Sequence, residues 1–283
     1  MLQRFKRTRF YERLKVRGKV LRRWLAFPSY RGRTFQCPIC DAGLRAFKPI
    51  GRSFLRNLEK HGFVYPVSAF ETLNLTHYQC PSCGAIDRER LYAIYLERRL
   101  PELDPRRRHR FVDFAPSPAL SRKLRKHPLL DYRTVDLFRA DVDERRDVAD
   151  LQPWEKDSVD IILCSHVLEH VPDDRRAMAE LYRVLAPGGF GIVMVPLLEG
   201  VEDTHDDASI RTPEARCKYY CQADHVRLYG RRDFAGRLAA AGFRVQKLAI
   251  GFFGAATFRR HGIAENSVLY LVDKAPSAPG GSR

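Results

Sequence analysis

The sequence predicts an α/β protein with a Rossmann-like, doubly wound sheet. Residues 157–196, DSVDIILCSHVLEHVPDDRRAMAELYRVLAPGGFGIVMVP, read in order as a strand, a helix, a glycine turn and a strand. Further strands are predicted upstream, one opening the segment Arg110–Leu120 and one at Tyr132–Val135. A strand, helix and strand in this order and at this length imply parallel pairing with a right-handed crossover.

Each element of residues 157–196 carries its own signal. Ser158–Cys164 is an apolar run long enough for a buried strand and too short for a buried helix. Asp173 can cap a helix that begins after Pro172. One face of that helix has apolar side chains at helical spacing: Met178, Leu181, Tyr182 and Leu185. The Pro-Gly-Gly turn at 187–189 ends the helix, and Phe190–Val195 is the next strand.

The two upstream strands lead to a candidate nucleotide site. The first ends at Asp113, and the turn after it can open a helix that runs through Leu124. The second ends just before Asp136, about twenty positions further on, where an acidic residue typically holds a nucleotide ribose. The alternative is a solvated aspartate at a strand end. The order of the flanking strands favours ribose binding.

HVLEHV followed by ELYRVLAPGG and an apolar strand resembles the class I S-adenosylmethionine-dependent methyltransferases, in the methyltransferase type 11-like subgroup. The resemblance covers roughly Arg110 to Asp273. It implies a seven-stranded sheet whose last strand is antiparallel, with Phe243–Ile250 and Ser267–Val272 as the last two strands. A helix at Arg232–Ala241 precedes them and ends at Gly242.

The same resemblance implies a cofactor site. The family turn D-x-G-x-G-x-G has Ala115, Ser117 and Ala119 in its three glycine places, which keeps the turn small without glycine's freedom at positive φ. DVADLQPW resembles the segment that reads adenine, with Asp147 and Val148 as its candidates. The residues implied for S-adenosylmethionine are Asp113, Ala115, Ser117, Ala119, Asp136, Asp147, Val148, Ser165 and His166.

Candidates for proton transfer lie at the end of the fourth strand and in the insert that follows the fifth. QADHVRLYG resembles a segment of related methyltransferases, and His225 within it is the first candidate for a general base or an acceptor-orienting residue. His166 and Tyr229 are the other catalytic candidates. The alternatives are that these histidines are structural, as we prefer for His170, or that methyl transfer needs orientation without a dedicated base.

Four of the seven cysteines form two C-x-x-C knuckles, and they predict a structural zinc site on Cys37, Cys40, Cys80 and Cys83. The spacing of about forty residues between the knuckles exceeds the roughly fifteen to twenty of a usual ribbon. Two disulfides or four free thiols are the alternatives. A second metal site can be imagined on Cys217, Cys221 and His225, with His205 upstream, although chance spacing explains these residues more simply.

Charge and composition divide the chain into segments. Residues 1–33 form a basic arm that supplies most of the net charge of +16, and residues 34–86 form the zinc-ribbon-like module. The methyltransferase domain follows at 87–274, with its substrate-side insert at 197–230, and 275–283 is a disordered tail. The arm can bind RNA, lie on an anionic membrane surface or simply be solvated.

The sequence therefore predicts methyl transfer from S-adenosylmethionine to a hydroxyl or amine of a small-molecule or glycan acceptor. The alternatives are an RNA methyltransferase, or an inactive methyltransferase-like scaffold that binds nucleic acid or protein. A dehydrogenase is disfavoured, because G-x-G-x-x-G does not follow the first strand. We expect a cytoplasmic location, since no apolar run reaches the length of a membrane span and no secretory signal is recognised. The oligomeric state cannot be predicted.

Overall fold

The first cysteine knuckle lies in a small hairpin near the start of the computed structural model, which describes residues 27–276. Strand β1 (Arg31–Gln36) pairs antiparallel with β2 (Gly43–Leu44), and helix α1 (Arg52–Lys60) follows. The amide of Cys37 donates to the carbonyl of Ala42 at 3.0 Å, which closes the knuckle between the two strands. Most of the predicted basic arm and most of the predicted tail lie outside the described residues.

A mixed sheet of six strands occupies the centre of the described chain. Its strands are β3 (His109–Phe114), β4 (Leu130–Val135), β5 (Val159–Ser165), β6 (Leu185–Met194), β7 (Arg244–Leu248) and β8 (Leu269–Asp273). The spatial order is β4-β3-β5-β6-β8-β7. The neighbours among β4, β3, β5 and β6 pair parallel. Strand β8 runs antiparallel to both of its neighbours, β6 and β7. The Rossmann-like class and the antiparallel last strand are thereby confirmed.

Helices connect the strands and pack on the sheet. They are α2 (Asp87–Arg99), α3 (Pro118–Leu124), α4 (Asp174–Val184), α5 (Pro213–Tyr220), α6 (Arg231–Ala240), α7 (Ile250–Phe253) and α8 (Ala255–His261). Asp173 caps α4 as predicted, its side chain accepting from the amide of Arg176 at 3.0 Å. Within the described part of the chain, no helix is long and apolar enough to cross a membrane.

The resemblance implies seven strands, and the sheet has six among the described residues. The missing strand would lie outside β4, where only a single bridge forms. Glu144 pairs parallel with Val135 at the outer edge of β4. Beside it, the Asp143 carboxylate accepts from the amide of Thr134 at 2.8 Å and from its hydroxyl at 2.7 Å. The Asp143 side chain thus accepts the hydrogen bond that the amide of Thr134 would otherwise donate to a neighbouring strand. Strand pairing therefore stops after one residue.

The cysteine-bearing segment and the sheet share one apolar core. Cys37, Leu44, Phe47 and Ala85 belong to the same buried cluster as the strands β3 to β6. A second buried cluster joins the segment between the knuckles to the insert after β6. Its buried members are Leu58, Phe70, Leu198, Tyr220, Cys221 and Leu228. This second cluster closes one side of the pocket described below.

Candidate functional site

Two non-glycine residues have a left-handed backbone conformation, with positive φ, at the carboxyl ends of the parallel strands. Ala115 follows β3 with φ of 54°, and His166 follows β5 with φ of 56°. The amide of Ala115 donates to Val135 and that of His166 donates to Met194, each at 2.8 Å. Both strands therefore end in sharp turns at adjacent positions, which is the crevice where open α/β sheets bind ligands. Ala115 has positive φ at the first glycine place of the expected turn.

Asp113 lies beneath this turn as a buried carboxyl group. It is 2 % exposed, and the hydroxyl of Tyr132 donates to it. Burial raises the pKa of Asp113 to about 7. Ser117 caps α3, accepting from the amide of Leu120 at 3.4 Å, and Ala119 is buried in the same helix.

Side chains of α2 contact residues at the ends of β3 and β5, an arrangement that the sequence did not predict. Tyr92 and Ser165 share a hydrogen bond of 2.8 Å between their hydroxyls. Burial raises the pKa of Glu89, whose carboxyl group lies within hydrogen-bonding reach of Ser117. Arg88 is half-buried and close enough to His166 to lower the pKa of that ring. The recognised motifs begin only at Arg110, so no local signal pointed to these groups.

Asp136 has one carboxylate oxygen engaged by backbone. Its Oδ1 accepts from the amides of Phe138 and Arg139 at 2.8 and 2.9 Å. The guanidinium of Arg139 in turn donates to the carbonyl of Pro116 at 2.6 Å, which ties this loop to the turn after β3. Among the described residues, Oδ2 accepts no such bond from backbone. Asp147 is exposed and accepts from the amide of Ala149, while its neighbour Val148 is 5 % exposed.

A cavity of about 730 Å³ lies next to this crevice. One wall comes from the ends of β5 and β6 and includes His166, Glu169 and Met194. The opposite wall comes from α1 and the segment that follows it. The polar residues of that wall are Ser53, Asn57, Glu71, Thr72 and Tyr78, and Arg88 of α2 lines the cavity beside them. The Glu71 carboxylate is 2 % exposed and pairs with Arg231 at 2.7 Å.

His166 lines this cavity with a buried carboxylate behind it. His166 Nδ1 lies 3.3 Å from Glu169 Oε1, and Glu169 is 1 % exposed. Burial and the nearby Arg88 lower the pKa of His166 to about 4. Burial opposes ionisation of Glu169, but His166 and the other neighbouring histidines hold its pKa below the ordinary value. The pair is thus a neutral imidazole next to a carboxylate.

His225 lies behind Glu169 and outside the cavity wall. It is 1 % exposed, its Nδ1 faces the carbonyl of Tyr220 at 2.7 Å, and its Nε2 lies 4.0 Å from Glu169 Oε1. Burial lowers the pKa of His225. Tyr229 is fully buried and donates to Asp174 at 2.6 Å, away from the cavity. Of the three catalytic candidates, the structure therefore brings only His166 to the cavity wall.

The four knuckle cysteines converge. Their sulfur atoms lie within 4.8 Å of one another, with Cys37 to Cys83 at 3.8 Å and Cys40 to Cys80 at 3.9 Å. Tetrahedral zinc with bonds of about 2.3 Å requires sulfur separations of about 3.8 Å. Hydrogen bonds among the four sulfur atoms lower the pKa of Cys40 and Cys80 and raise that of Cys37 and Cys83. The cluster fits a zinc-ribbon-like module.

The imagined second site on Cys217, Cys221 and His225 is not assembled. Helix α5 ends at Tyr220 and Cys221 has φ of 78°, so helical spacing does not continue to His225. His225 meets Glu169 and His170 instead, and His205 packs on Tyr219 and Tyr220. The prediction assumed one helix through Cys217, Cys221 and His225, and it is wrong because α5 ends between the first two of these residues.

The protein is therefore of the α/β class, with a ligand crevice at the carboxyl ends of its parallel strands. The sequence model of the family described as "Methyltransferase domain" matches residues 85–248. The chain belongs to this methyltransferase family.

Several solved structures are similar in fold, at low identity. A chain in the complex between the Haloferax volcanii Trm112 methyltransferase activator and a methyltransferase is 16% identical, with 67% of this chain and 92% of that chain covered and a TM-score of 0.42. The YcgJ protein of Bacillus subtilis is 15% identical, with coverages of 66% and 100% and a TM-score of 0.41. The phosphoethanolamine N-methyltransferase 2 of Haemonchus contortus is 15% identical, with coverages of 64% and 52% and a TM-score of 0.43. No curated protein matches the chain.

Proposed function

We propose that this protein transfers a methyl group from S-adenosylmethionine to a hydroxyl or amine of a small-molecule or glycan acceptor. The observation that carries the proposal is the placement of His166, which joins the crevice at the end of β5 to the polar cavity. A methyltransferase needs two adjoining sites, one for the cofactor and one for the acceptor, so that the reacting atoms meet in line.

The residues at the crevice fit the cofactor. The positive φ of Ala115 gives the turn the sharp bend that glycine gives elsewhere, and the small side chains at Ser117 and Ala119 permit close approach. The remaining carboxylate oxygen of Asp136 can accept from ribose hydroxyls. The carboxyl group of Glu89 and the hydroxyl of Ser165 provide polar contacts at the ends of β3 and β5.

The chemistry asks little of the protein beyond orientation. S-adenosylmethionine supplies a methyl group activated on a sulfonium. His166 is neutral above about pH 4, so its ring can accept a proton from the attacking hydroxyl or amine. Glu169 holds this ring from behind at 3.3 Å. Polar groups on both cavity walls favour an acceptor rich in hydroxyls or other polar groups over an apolar one.

The cofactor assignment is tested by calorimetric titration with S-adenosylmethionine and, separately, with its demethylated product. We expect micromolar binding of at least one of them by the wild type. Asp136→Ala should weaken it more than tenfold, whereas Asp131→Ala, which removes a half-exposed carboxylate from the preceding strand β4, should leave it unchanged. A folded wild type that binds neither ligand would support the scaffold alternative, and equal affinities for both variants would remove Asp136 from the ribose site.

We also propose that Cys37, Cys40, Cys80 and Cys83 hold one structural zinc ion. All four positions are filled by protein ligands, which leaves none for a reacting water. Elemental analysis of purified protein should give at least one zinc ion per chain, and Cys80→Ser should lose that ion and unfold more readily. Cys164→Ser is the control, because this buried thiol lies in β5 outside the cluster. A zinc-free Cys80→Ser protein that is as stable as the wild type would contradict the assignment.

A further inference from the structure

Three side chains with metal-ligating atoms converge beside the acceptor cavity. Glu169 and His170 belong to the short turn Leu168–His170 that follows β5, and His225 comes from the insert after β6. Their ligand atoms lie within 4.8 Å of one another. The amide of Val226 donates to the backbone carbonyl of Glu169 at 2.8 Å, which fixes the insert against the turn.

The polar atoms between these side chains are buried and unsatisfied. Within the described part of the chain, Glu169 Oε2 and His225 Nε2 have no hydrogen-bond partner, and Glu169 Oε1 has only His166 Nδ1 at 3.3 Å. Both residues are 1 % exposed. Buried polar groups without partners cost stability, so an arrangement of this kind points to a group that binds between them.

The orientation of His225 defines what that group must be. Its Nδ1 faces the carbonyl of Tyr220 at 2.7 Å, and a carbonyl can only accept, so Nδ1 carries the hydrogen. The neutral ring then directs the lone pair of Nε2 towards Glu169 Oε1, which is also an acceptor. The two atoms are 4.0 Å apart, too far for a direct hydrogen bond. A cation between two acceptors satisfies both.

The distances are close to those of a coordinated ion. A divalent ion with bonds of about 2.1 Å to nitrogen and oxygen places tetrahedral ligands about 3.4 Å apart. The 4.0 Å separation must therefore close by about 0.6 Å when an ion binds. The third ligand, His170, is oriented by Asp224, whose carbonyl lies 3.3 Å from His170 Nδ1, leaving Nε2 for the ion.

We propose that Glu169, His170 and His225 bind a divalent transition-metal ion at the edge of the acceptor cavity. Two imidazoles and one carboxylate suit Zn²⁺, Fe²⁺, Mn²⁺ or Co²⁺, whereas Mg²⁺ and Ca²⁺ prefer oxygen ligands throughout. Glu169 and His170 line the cavity, so an ion held by the three side chains would lie at the edge of the cavity. Three protein ligands with an open position are typical of a catalytic metal site.

The role of this ion rests on the proposed function. An acceptor hydroxyl bound to a divalent ion loses its proton more readily. The bond between acceptor oxygen and methyl carbon forms as the bond between sulfur and that carbon breaks. The hydroxyl proton passes to His166 or to solvent, and the products are the methyl ether and S-adenosylhomocysteine.

Cobalt titration of protein freed of metal under reducing conditions tests the site. Co²⁺ on the four cysteines gives intense thiolate charge-transfer bands, whereas Co²⁺ on two imidazoles and a carboxylate gives only weak visible bands. We expect two equivalents in the wild type, one of each kind. His225→Ala and Glu169→Gln should lose the second equivalent or weaken it more than tenfold, and His127→Ala, a histidine near the end of α3, should retain it.

The outcomes separate this proposal from the methyltransferase proposal. A single equivalent in the wild type, held by thiolates alone, overturns the second site, and so does a second equivalent that persists in both ligand variants. Should either buried-residue variant fail to fold by circular dichroism, His170→Ala provides the test, because its side chain is 34% exposed. Calorimetry with S-adenosylmethionine on the same samples is independent, so failure of one proposal leaves the other standing.

Discussion

Replacing Arg90 should separate the cysteine-bearing segment from the sheet. This side chain is 0 % exposed and lies over the ring of Phe47 at 3.9 Å. Its guanidinium donates to five backbone carbonyls, on both sides of the junction. They belong to His77, Tyr78, Ala85, His261 and Gly262. The first three precede α2 around the second knuckle, and the last two end α8.

The size of the effect follows from these bonds. Arg90→Met keeps much of the apolar stem but leaves five buried or partly buried carbonyls without their donor, each at about 1 kcal/mol. It also leaves the buried Asp87 with one cation fewer nearby. Breaking a buried charged network typically costs about 3–5 kcal/mol. For a domain of this size that corresponds to a fall of roughly 6–20 °C in Tm.

Urea unfolding followed by circular dichroism measures the loss. Arg90→Lys retains the charge and up to three donors, so its midpoint should fall between those of the wild type and Arg90→Met. Arg106→Met is the control, because the Arg106 side chain is 86% exposed and its midpoint should not move. If Arg90→Met unfolds at the same urea concentration as this control, the guanidinium does not hold the junction.

The remaining predictions use the same unfolding assay or nuclear magnetic resonance. Burial raises the pKa of Asp113 to about 7, so the folded state retains a proton that the unfolded chain releases above about pH 4. Between about pH 4 and 7 the wild type should therefore lose on the order of 4 kcal/mol relative to Asp113→Asn, and parallel curves would contradict this. His166, whose pKa burial lowers to about 4, should show ring resonances unchanged from pH 8 down to about 5, and a midpoint near 6.5 would exclude its neutral state. Gly242→Ala should cost about 2–4 kcal/mol, because φ is 110° and the new methyl falls 2.7 Å from the Tyr182 ring, whereas Gly236→Ala enters open space within α6 and should be neutral or stabilising.

Local signals predicted the parallel half of the sheet well. The strands β3 to β6 and the cap at Asp173 depend on apolar runs and a capping side chain, which act within a few residues. The Pro-Gly-Gly segment at 187–189 was wrong as the end of helix α4, because the helix ends at Val184 and these residues lie within β6, where the pairing with β5 shifts register. The strand expected outside β4 is reduced to one bridge among the described residues, because the Asp143 side chain accepts from both the amide and the hydroxyl of Thr134 at this sheet edge. The pattern of apolar residues in β4 is the same whether or not another strand pairs with its outer edge.

The cavity beside His166 depends on contacts that the sequence does not reveal. Glu71 lies more than 150 residues from Arg231, its partner, and neither belongs to a recognisable motif. His225 was identified by its motif, but its burial behind Glu169 follows from how the insert folds back on the turn after β5. Motifs can indicate which residues matter, whereas the chain path decides whether a residue faces the cavity or supports it.

The unusual distance between the two knuckles has a structural explanation in this cavity. The wall opposite His166 is formed by residues from Ile50 to Tyr78, and all of them lie between Cys40 and Cys80. A metal ion on the two knuckles closes that segment into a loop, and the entropy of closing a loop rises only slowly with its length. An insertion of about forty residues is therefore inexpensive once the ends are fixed, and α1 uses it to cover the cavity. The proposed zinc ion would therefore also hold this wall of the cavity in place, because it would fix both ends of the segment that forms the wall.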